Sequence, residues 1–340
     1  MIYRSKAPLR IGLAGGGTDV SPYSDLYGGA ILNATISLYA HASIEPLEGN
    51  RIMLEANDRQ ESESFDLIPQ LPVNGNLDLL KGVYNAIQRD YGQFKTGFRL
   101  STFVDAPAGS GLGTSSTLVV AIIGAFAEML QLPLGEYDIA HYAYEIERKE
   151  LNLAGGKQDQ YAATFGGVNF MEFYEGDKVI VNPLRIRQQY LFELENNLVL
   201  YYTSTSRESA RIIEQQSRNV VAKKEQSIEA MHLLKQQSQM MKEALLKGRL
   251  HEFGEILDYG YQQKRKMAEG ISNPLMEEIY ETARNAGATG GKISGAGGGG
   301  FMIFYCPGTT KYRVIETLKK FGGYHKNYQF VEHGVKTWRG

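Results

Sequence analysis

Glycine constrains this chain most, because many of its 38 copies fall in three separate clusters. The first cluster lies between Gly12 and Gly17, the second between Gly109 and Gly113, and the third between Gly290 and Gly300. Ordering glycine costs more backbone entropy than ordering any other residue, so a cluster indicates close approach of backbone to a ligand or to another segment. We therefore expect the three clusters to pack against one another and to line a site.

The remaining composition is typical of a globular protein with more than one core. A chain of 340 residues favours two domains, and 43% hydrophobic with 22% charged residues excludes general disorder. The net charge of −2 provides no positive field for nucleic acid. The single cysteine, Cys306, excludes an intrachain disulfide, and no apolar run approaches the roughly 20 residues of a membrane span. We expect a cytoplasmic protein without nucleic-acid or membrane partners.

Strand-like and helical segments occur without regular βαβ alternation, which predicts an α+β architecture. The chain changes character near Pro183, and we predict domains at residues 1–185 and 186–340. Helices are predicted from about Ser115 to Leu130 and from Gly135 to Leu151. A stretch rich in glutamine and lysine is predicted to be helical up to Lys247, with a long helix near residues 221 to 247 that stops at Gly248. Its apolar stripe fits a homodimer interface as well as the core.

The middle glycine cluster has the features of a phosphate-binding loop. Its alternating glycines let backbone N–H groups turn toward an anion, and the helix that follows adds the positive end of its dipole. Thr114 stands where a Walker loop requires lysine, so this is a different kind of loop. A tight turn with a serine cap is the alternative. The residues predicted to hold phosphates are Pro107, Gly109, Ser110, Gly111, Leu112, Gly113, Thr114, Ser115 and Ser116.

The first cluster runs into Thr18 and Asp19 and lacks the spacing of a dinucleotide-binding fingerprint. Asp19 is suited to accepting hydrogen bonds from sugar hydroxyls, and Arg10 to neutralising phosphate. A glycine turn with a capping aspartate explains the same residues equally well.

Two carboxylates, Glu147 and Asp159, are candidates for chemistry near the end of the second predicted helix. A glutamate can hold Mg²⁺, and an aspartate can accept a proton from a substrate hydroxyl. Spacing alone favours two acids on a solvated surface.

Taken together, these segments resemble the motifs of the galactokinase, homoserine kinase, mevalonate kinase and phosphomevalonate kinase (GHMP kinase) superfamily. The three motifs follow in order as Ala7-Pro8-Leu9-Arg10, Pro107 to Ser116, and Gly291 to Gly300. The resemblance implies a two-domain α+β fold, with an N-terminal domain like domain 2 of ribosomal protein S5 and a ferredoxin-like C-terminal domain. It also implies ATP and Mg²⁺, with ATP and the acceptor held between the domains.

The resemblance further implies roles for single residues. Asp159 matches the catalytic aspartate, and Arg10 matches the basic residue that pairs with it and holds it ionised. Ser116 and Glu147 match the Mg²⁺ ligands, although Glu147 is one residue further from the aspartate than in mevalonate kinases. Asp19 matches the sugar-binding aspartate of galactokinases. The residues expected around the acceptor are Gly16, Gly17, Thr18, Asp19, Gly156, Lys157, Arg207, Lys292 and Gly297.

Within the superfamily, the pattern from Gly15 to Asp19, together with that from Gly155 to Tyr161, resembles the D-glycero-D-manno-heptose 7-phosphate kinases. Fucokinases share the triple glycine. The implied activity is transfer of phosphate from ATP to the C1 hydroxyl of heptose 7-phosphate, giving a 1,7-bisphosphate for nucleotide-activated heptose synthesis. Lys157, Arg207 and Lys292 are candidates for binding the sugar's own phosphate, or are surface or internally paired charges. Alternatives are an L-fucose kinase, another anomeric sugar kinase, or a sensor that binds ATP and sugar without turnover.

Overall fold

The structure is a computed structural model that describes residues 1–92, 94–205 and 209–340. Its fold is built on two β-sheets. The strands are β1 (Tyr3–Ala14), β2 (Gly29–Pro46), β3 (Arg51–Ala56), β4 (Glu61–Asp66), β5 (Phe98–Val104), β6 (Val168–Phe173), β7 (Val179–Pro183), β8 (Leu198–Tyr202), β9 (Gly290–Ile293), β10 (Phe301–Tyr305), β11 (Tyr324–His325) and β12 (Lys336–Arg339).

The α-helices cover and connect these sheets. They are α1 (Tyr23–Tyr27), α2 (Asp78–Tyr91), α3 (Thr114–Leu130), α4 (Glu136–Glu145), α5 (Gln158–Phe165), α6 (Gln188–Asn197), α7 (Ser209–Val221), α8 (Glu225–Lys247), α9 (Phe253–Lys264), α10 (Pro274–Asn285) and α11 (Thr310–Leu318). A π turn (Ile146–Glu150) continues α4, and two short 3₁₀ helices lie at Leu250–Glu252 and Lys319–Phe321.

The first sheet has eight strands in the order β12-β1-β2-β5-β3-β4, with β6 and β7 extending it beside β2. Every pairing is antiparallel except the one between β3 and β5. The first eight residues of β2 are all buried, whereas burial alternates along the rest of the strand. This is the pattern of a strand covered on both faces at one end and on one face at the other.

Helix α3 packs against β1 and β2 and is buried along most of its length, from Thr114 to Phe126. Its side chains are apolar on nearly every side, which suits a central helix. Its bounds agree with the predicted helix from Ser115 to Leu130. The predicted helix from Gly135 to Leu151 is also confirmed, as α4 and its π turn.

The second sheet has four antiparallel strands in the order β11-β8-β10-β9. Together the sheets and helices confirm the predicted α+β architecture. The last strand, β12, returns to the first sheet, where Lys336 to Arg339 pair with Tyr3 to Lys6. The division into residues 1–185 and 186–340 stays a prediction. Strand β12 departs from it, because its residues fall in the predicted second domain but pair with β1 in the first sheet.

The long helix predicted near residues 221 to 247 is confirmed as α8, and a separate helix, α7, precedes it. The chain leaves α7 after Val221 and turns through Lys223, which has a φ of 51°. A residue in this left-handed conformation ends a helix. The end at Gly248 is confirmed, with that glycine left-handed at a φ of 69°.

The apolar stripe of α8 faces inward, since Met231, Leu234, Met241 and Leu245 are all buried within the chain. This stripe therefore belongs to the core and offers no surface to a second copy. Across the described ranges, no helix combines the length and apolar character that a membrane span requires.

Candidate active site

A partly buried ion pair connects the first and middle parts of the chain. Arg10, on β1, donates hydrogen bonds from Nε and Nη2 to the two carboxylate oxygens of Asp159, at 2.7 and 2.9 Å. Its third guanidinium nitrogen, Nη1, donates to the carbonyl oxygen of Gly111. Asp159 lies in the first turn of α5, with 22% of its side chain exposed. One arginine therefore fixes both the carboxylate and the glycine loop beside it.

The middle glycine cluster forms a tight loop ahead of α3. Gly109, Gly111 and Gly113 have φ values of 70°, 84° and 77°, in the region that favours glycine. A Cβ atom on Gly113 would lie 3.0 Å from Cγ of Asp159. The loop can approach the carboxylate this closely because it has no side chain at that point.

The third glycine cluster packs directly against this loop, as predicted. The Ser294 hydroxyl donates to the carbonyl oxygen of Gly111 at 2.8 Å, and the Phe301 N–H donates to that of Ser110 at 2.9 Å. A Cβ atom on Gly300 would lie 2.4 Å from the Ser110 oxygen. The glycines at this junction serve close packing of one backbone on another.

Replacing Gly300 by alanine is expected to break this packing and to lower the free energy of unfolding by more than about 3 kcal/mol. Gly308→Ala is the matched control, because Gly308 also has a positive φ, 63°, but has open space where the methyl group would lie. Its backbone strain alone should cost about 1 kcal/mol. Denaturant unfolding measures both, and equal losses would show that the contact with Ser110 is unimportant.

A second buried carboxylate lies at the start of α3. Glu147, in the π turn, is 1% exposed and accepts hydrogen bonds from the Ser116 hydroxyl at 3.0 Å and from Nε2 of Gln160. The Arg148 guanidinium is 3.7 Å away. Burial raises the pKa of Glu147, against the lowering effects of Arg148, Ser116 and Gln160. Oε1 of Gln160 is buried with no partner among the described residues. Glu147 thus has two hydrogen-bond donors and one nearby cation, while the amide oxygen of Gln160 beside it is left without a donor in the described part of the chain.

Asp19 is another buried acid of the site. It is 2% exposed, and one carboxylate oxygen accepts the N–H of Gln158 at 3.0 Å. Oδ1 has no hydrogen-bond partner among the residues that the structure describes. Burial raises the pKa of Asp19, and the nearby Asp159 carboxylate adds to the effect. Gly156 allows this arrangement, because a Cβ there would lie 1.9 Å from Oδ2 of Asp19.

These groups surround one cavity of about 300 Å³, to which all three glycine clusters contribute. Its lining includes Arg10, Gly17, Asp19, Gly109, Gly111, Gly113, Thr114, Ser115, Ser116, Glu147, Gly156, Asp159 and Gly295. The structure therefore brings together the predicted acids, the arginine and most of the predicted phosphate loop. Pro107, Ser110 and Leu112 do not line it; Ser110 and Leu112 are buried in protein and Pro107 is exposed.

Several residues predicted around the acceptor lie elsewhere. Lys157 is buried with Nζ 3.3 Å from Asp25 and 3.1 Å from Asp177, an internal ion-pair network. Lys292 is buried and donates to the carbonyl oxygen of Gly12 at 2.8 Å. Burial lowers the pKa of Lys292 well below its ordinary value. Neither lysine lines the cavity.

Three further predicted residues have packing roles. The Thr18 hydroxyl is buried within hydrogen-bonding distance of the carbonyl oxygens of Gly15 and Ala30. Gly297 packs on the Ile271 backbone, and Gly16 lies against buried lysine side chains. The prediction for Arg207 lies outside the described residues.

Sequence reasoning missed Lys264, which ends α9 and lines the cavity. It is 4% exposed, and its Nζ donates to the carbonyl oxygen of Gly295 at 2.6 Å. Burial lowers the pKa of Lys264 to about 8. The surrounding Lys264-Arg265-Lys266 has the composition of a solvated helix end, so the sequence carries no signal for a buried lysine here.

A second cavity of about 290 Å³ adjoins the glycine loop. It shares Thr114 and Ser115 with the first cavity. Aliphatic side chains form much of its wall, among them Leu77, Val104, Ala106, Leu118 and Leu151. A flat, apolar group attached to phosphates at the loop could enter it.

Comparison with known proteins identifies similar chains over nearly the full length. Residues 78–167 match the family model for the GHMP kinases N terminal domain, and residues 241–323 match that for the GHMP kinases C terminal domain. D-glycero-alpha-D-manno-heptose 7-phosphate kinase of Campylobacter jejuni is 48% identical over 336 residues, covering 99% of this chain and 98% of that protein.

Two further relatives extend the comparison. A crystal structure described as a D-glycero-D-manno-heptose 1-phosphate kinase from Bacteroides thetaiotaomicron superposes with a TM-score of 0.85 at 47% identity, covering 99% of each chain. L-fucokinase/L-fucose-1-P guanylyltransferase of Bacteroides fragilis is 28% identical over 323 residues, covering 87% of this chain but 34% of that longer protein.

Proposed function

Since the chain belongs to the GHMP kinase family, we propose that it is an ATP-dependent sugar kinase acting on D-glycero-D-manno-heptose 7-phosphate in the cytoplasm. It transfers the γ-phosphoryl group to the C1 hydroxyl and forms the 1,7-bisphosphate and ADP. Near full-length similarity to a heptose 7-phosphate kinase supports the substrate. The observation that supports the chemistry is the Arg10–Asp159 pair, which lies against the glycine loop at the N-terminus of α3.

Asp159 accepts the proton of the C1 hydroxyl as that oxygen forms its bond to the γ-phosphorus. The bond from phosphorus to the β–γ bridging oxygen breaks at the same time, and ADP leaves. Two hydrogen bonds from Arg10 fix the carboxylate, so little orientational freedom is lost when the acceptor binds. The loop from Gly109 to Ser115 donates backbone N–H groups to the phosphate oxygens, where charge is spread in the transition state.

Ser116 and Glu147 fit the role of Mg²⁺ ligands. A hydroxyl and a carboxylate are ligands that Mg²⁺ accepts, and the cation would compensate a buried acid whose pKa is raised by burial. The described residues hold no cluster of three acidic, histidine or cysteine side chains, so phosphate oxygens and water have to complete the coordination. When bound with ATP, Mg²⁺ neutralises charge on the transferring group.

We assign the apolar cavity beside the loop to the adenine ring. Its wall of aliphatic side chains suits a flat heterocycle, and it adjoins the phosphate loop through Thr114 and Ser115. The main cavity then remains for the triphosphate and the acceptor.

L-fucose is the alternative acceptor, and one contact favours it. Lys157, a candidate for binding the sugar's own phosphate, is already paired with Asp25 and Asp177. A kinase of an unphosphorylated sugar requires no such cation. The 28% identity to an L-fucokinase points the same way, whereas the 48% identity to a heptose 7-phosphate kinase favours the first proposal.

A kinase assay on a panel of sugars decides between them. We expect turnover with heptose 7-phosphate, and phosphorus NMR of the product should give one signal for phosphate at C7 and one at C1. Preferred turnover of L-fucose would overturn the substrate assignment. Binding of ATP and sugar without ADP release would instead identify a sensor.

A further inference from the structure

Lys264 lines the main cavity without a role in the chemistry described above. It comes from α9 in the second half of the chain, whereas Arg10, Asp19 and Asp159 come from the first half. Its ammonium group has three N–H donors, and one of them is used by the carbonyl oxygen of Gly295. The remaining donors are held in an interior where burial of a charge is costly.

Asp19 lines the same cavity and lacks a hydrogen-bond donor for one carboxylate oxygen within the described ranges, whereas Lys264 has donors to spare. Its Oδ1 is buried without a partner among the described residues. Asp19 and Lys264 are close enough for the carboxylate to oppose the loss of the lysine's proton. Yet no hydrogen bond or ion pair joins the two in the part of the chain that the structure describes. A buried donor and a buried acceptor thus lie near one another, each with unused capacity.

We propose that Lys264 is an acceptor-binding residue, which donates a hydrogen bond to a sugar hydroxyl oxygen while Asp19 accepts a hydrogen bond from the same or the adjacent hydroxyl. A hydroxyl both donates and accepts, so it satisfies both buried groups at once. The inference rests on the proposed function, and it adds a contact from the second half of the chain. Sugar binding then joins α9 to the glycine cluster that precedes Asp19.

The test is Lys264→Met, a neutral side chain of similar length, with Lys266→Met as the control. Lys266 is exposed two residues further on and donates to Gln263. Calorimetric titration with heptose 7-phosphate, in the presence of a non-hydrolysable ATP analogue, measures the acceptor affinity. We expect Lys264→Met to lose about 10- to 100-fold, the range for a hydrogen bond to a charged group. Nucleotide affinity and the control variant should stay within about twofold.

The wild-type protein supplies a second measurement that does not depend on the variant folding. The charged groups that face Lys264 are Arg10 on β1, Asp19 in the loop after β1, Asp159 on α5 and Lys292 on β9. Since burial lowers the pKa of Lys264 to about 8, acceptor affinity should fall as the pH rises through that value, by no more than the loss expected for Lys264→Met. Lys264→Arg stays charged and should flatten this profile.

The outcomes separate this inference from the proposed function. If L-fucose and not heptose 7-phosphate is turned over, the substrate proposal fails, and the same titrations with L-fucose still decide the role of Lys264. If Lys264→Met is folded and binds the acceptor as tightly as wild type, the inference is overturned even where the kinase activity stands. A wild-type acceptor affinity that does not change between pH 7 and 10 also overturns it.

Discussion

Replacing Asp159 by asparagine is expected to lower kcat by about 1,000-fold or more, with ATP affinity kept within about threefold. Asparagine has nearly the same shape but cannot accept the proton of the acceptor hydroxyl. It also presents an NH₂ group to Arg10, which is itself only a donor, so the two-bond pair with Arg10 is lost. Steady-state kinetics with both substrates, together with nucleotide titration, measure the two effects separately.

Two results would contradict this role. Unchanged turnover would remove Asp159 from the reaction. Loss of ATP affinity at normal kcat would make it a structural partner of Arg10 and of the adjacent loop, which Gly113 brings to within contact of its carboxylate. Thermal unfolding of the variant serves as the control, since a folding defect would reduce both parameters together.

Glu147→Gln is expected to lower kcat/KM for ATP with Mg²⁺ by about 100- to 1,000-fold, the size of effect seen when one charge-stabilising group is removed. The same variant should be at least as stable as wild type when Mg²⁺ is absent. Glutamine removes a buried charge, and burial already raises the pKa of this carboxyl. Kinetics at varied Mg²⁺ and denaturant unfolding in a chelator test the two halves of this prediction.

Glu145→Gln is the matched control, because Glu145 lies on the same helix but is 38% exposed and pairs with Lys149. It should alter neither Mg²⁺ dependence nor turnover. If Glu147→Gln keeps normal Mg²⁺ dependence, or destabilises the protein in the chelator, then Glu147 is a buried structural acid. In that case the role of Glu147 is to hold Ser116 and Gln160 in place through its hydrogen bonds.

The elements that the sequence predicts well are those encoded within one stretch of chain. Helix α3 is one example, since its apolar residues and the glycines before it define both ends locally. The break between α7 and α8 has little local signal, because Ala222, Lys223 and Lys224 are all ordinary helix residues, and a left-handed turn at Lys223 separates the two helices. The return of β12 to the first sheet is set by tertiary pairing, which local patterns do not record.

The site itself shows the same limit. The pairing of Arg10 with Asp159 spans 149 residues and was expected only through resemblance to a family. The internal pairing of Lys157 was left open, because Asp25 is 132 residues away and its position depends on the fold. Lys264 was missed altogether, since its burial is set by glycine loops from distant parts of the chain. Residue type indicated the chemistry, while tertiary packing decided which charged groups face the cavity.

The π turn from Ile146 to Glu150 has a consequence for how such chains can vary. Its hydrogen bond, from the Leu151 N–H to the Ile146 carbonyl, spans five residues where an α-helix would span four. A helix can therefore absorb an inserted residue at this place while Glu147 still points toward Ser116. The resemblance to mevalonate kinases predicts one extra residue between Glu147 and Asp159, and a π turn is a place where a helix accommodates such an insertion. Aligning the two acids by counting residues would misplace one of them, and superposition on Ser116 is the sounder guide.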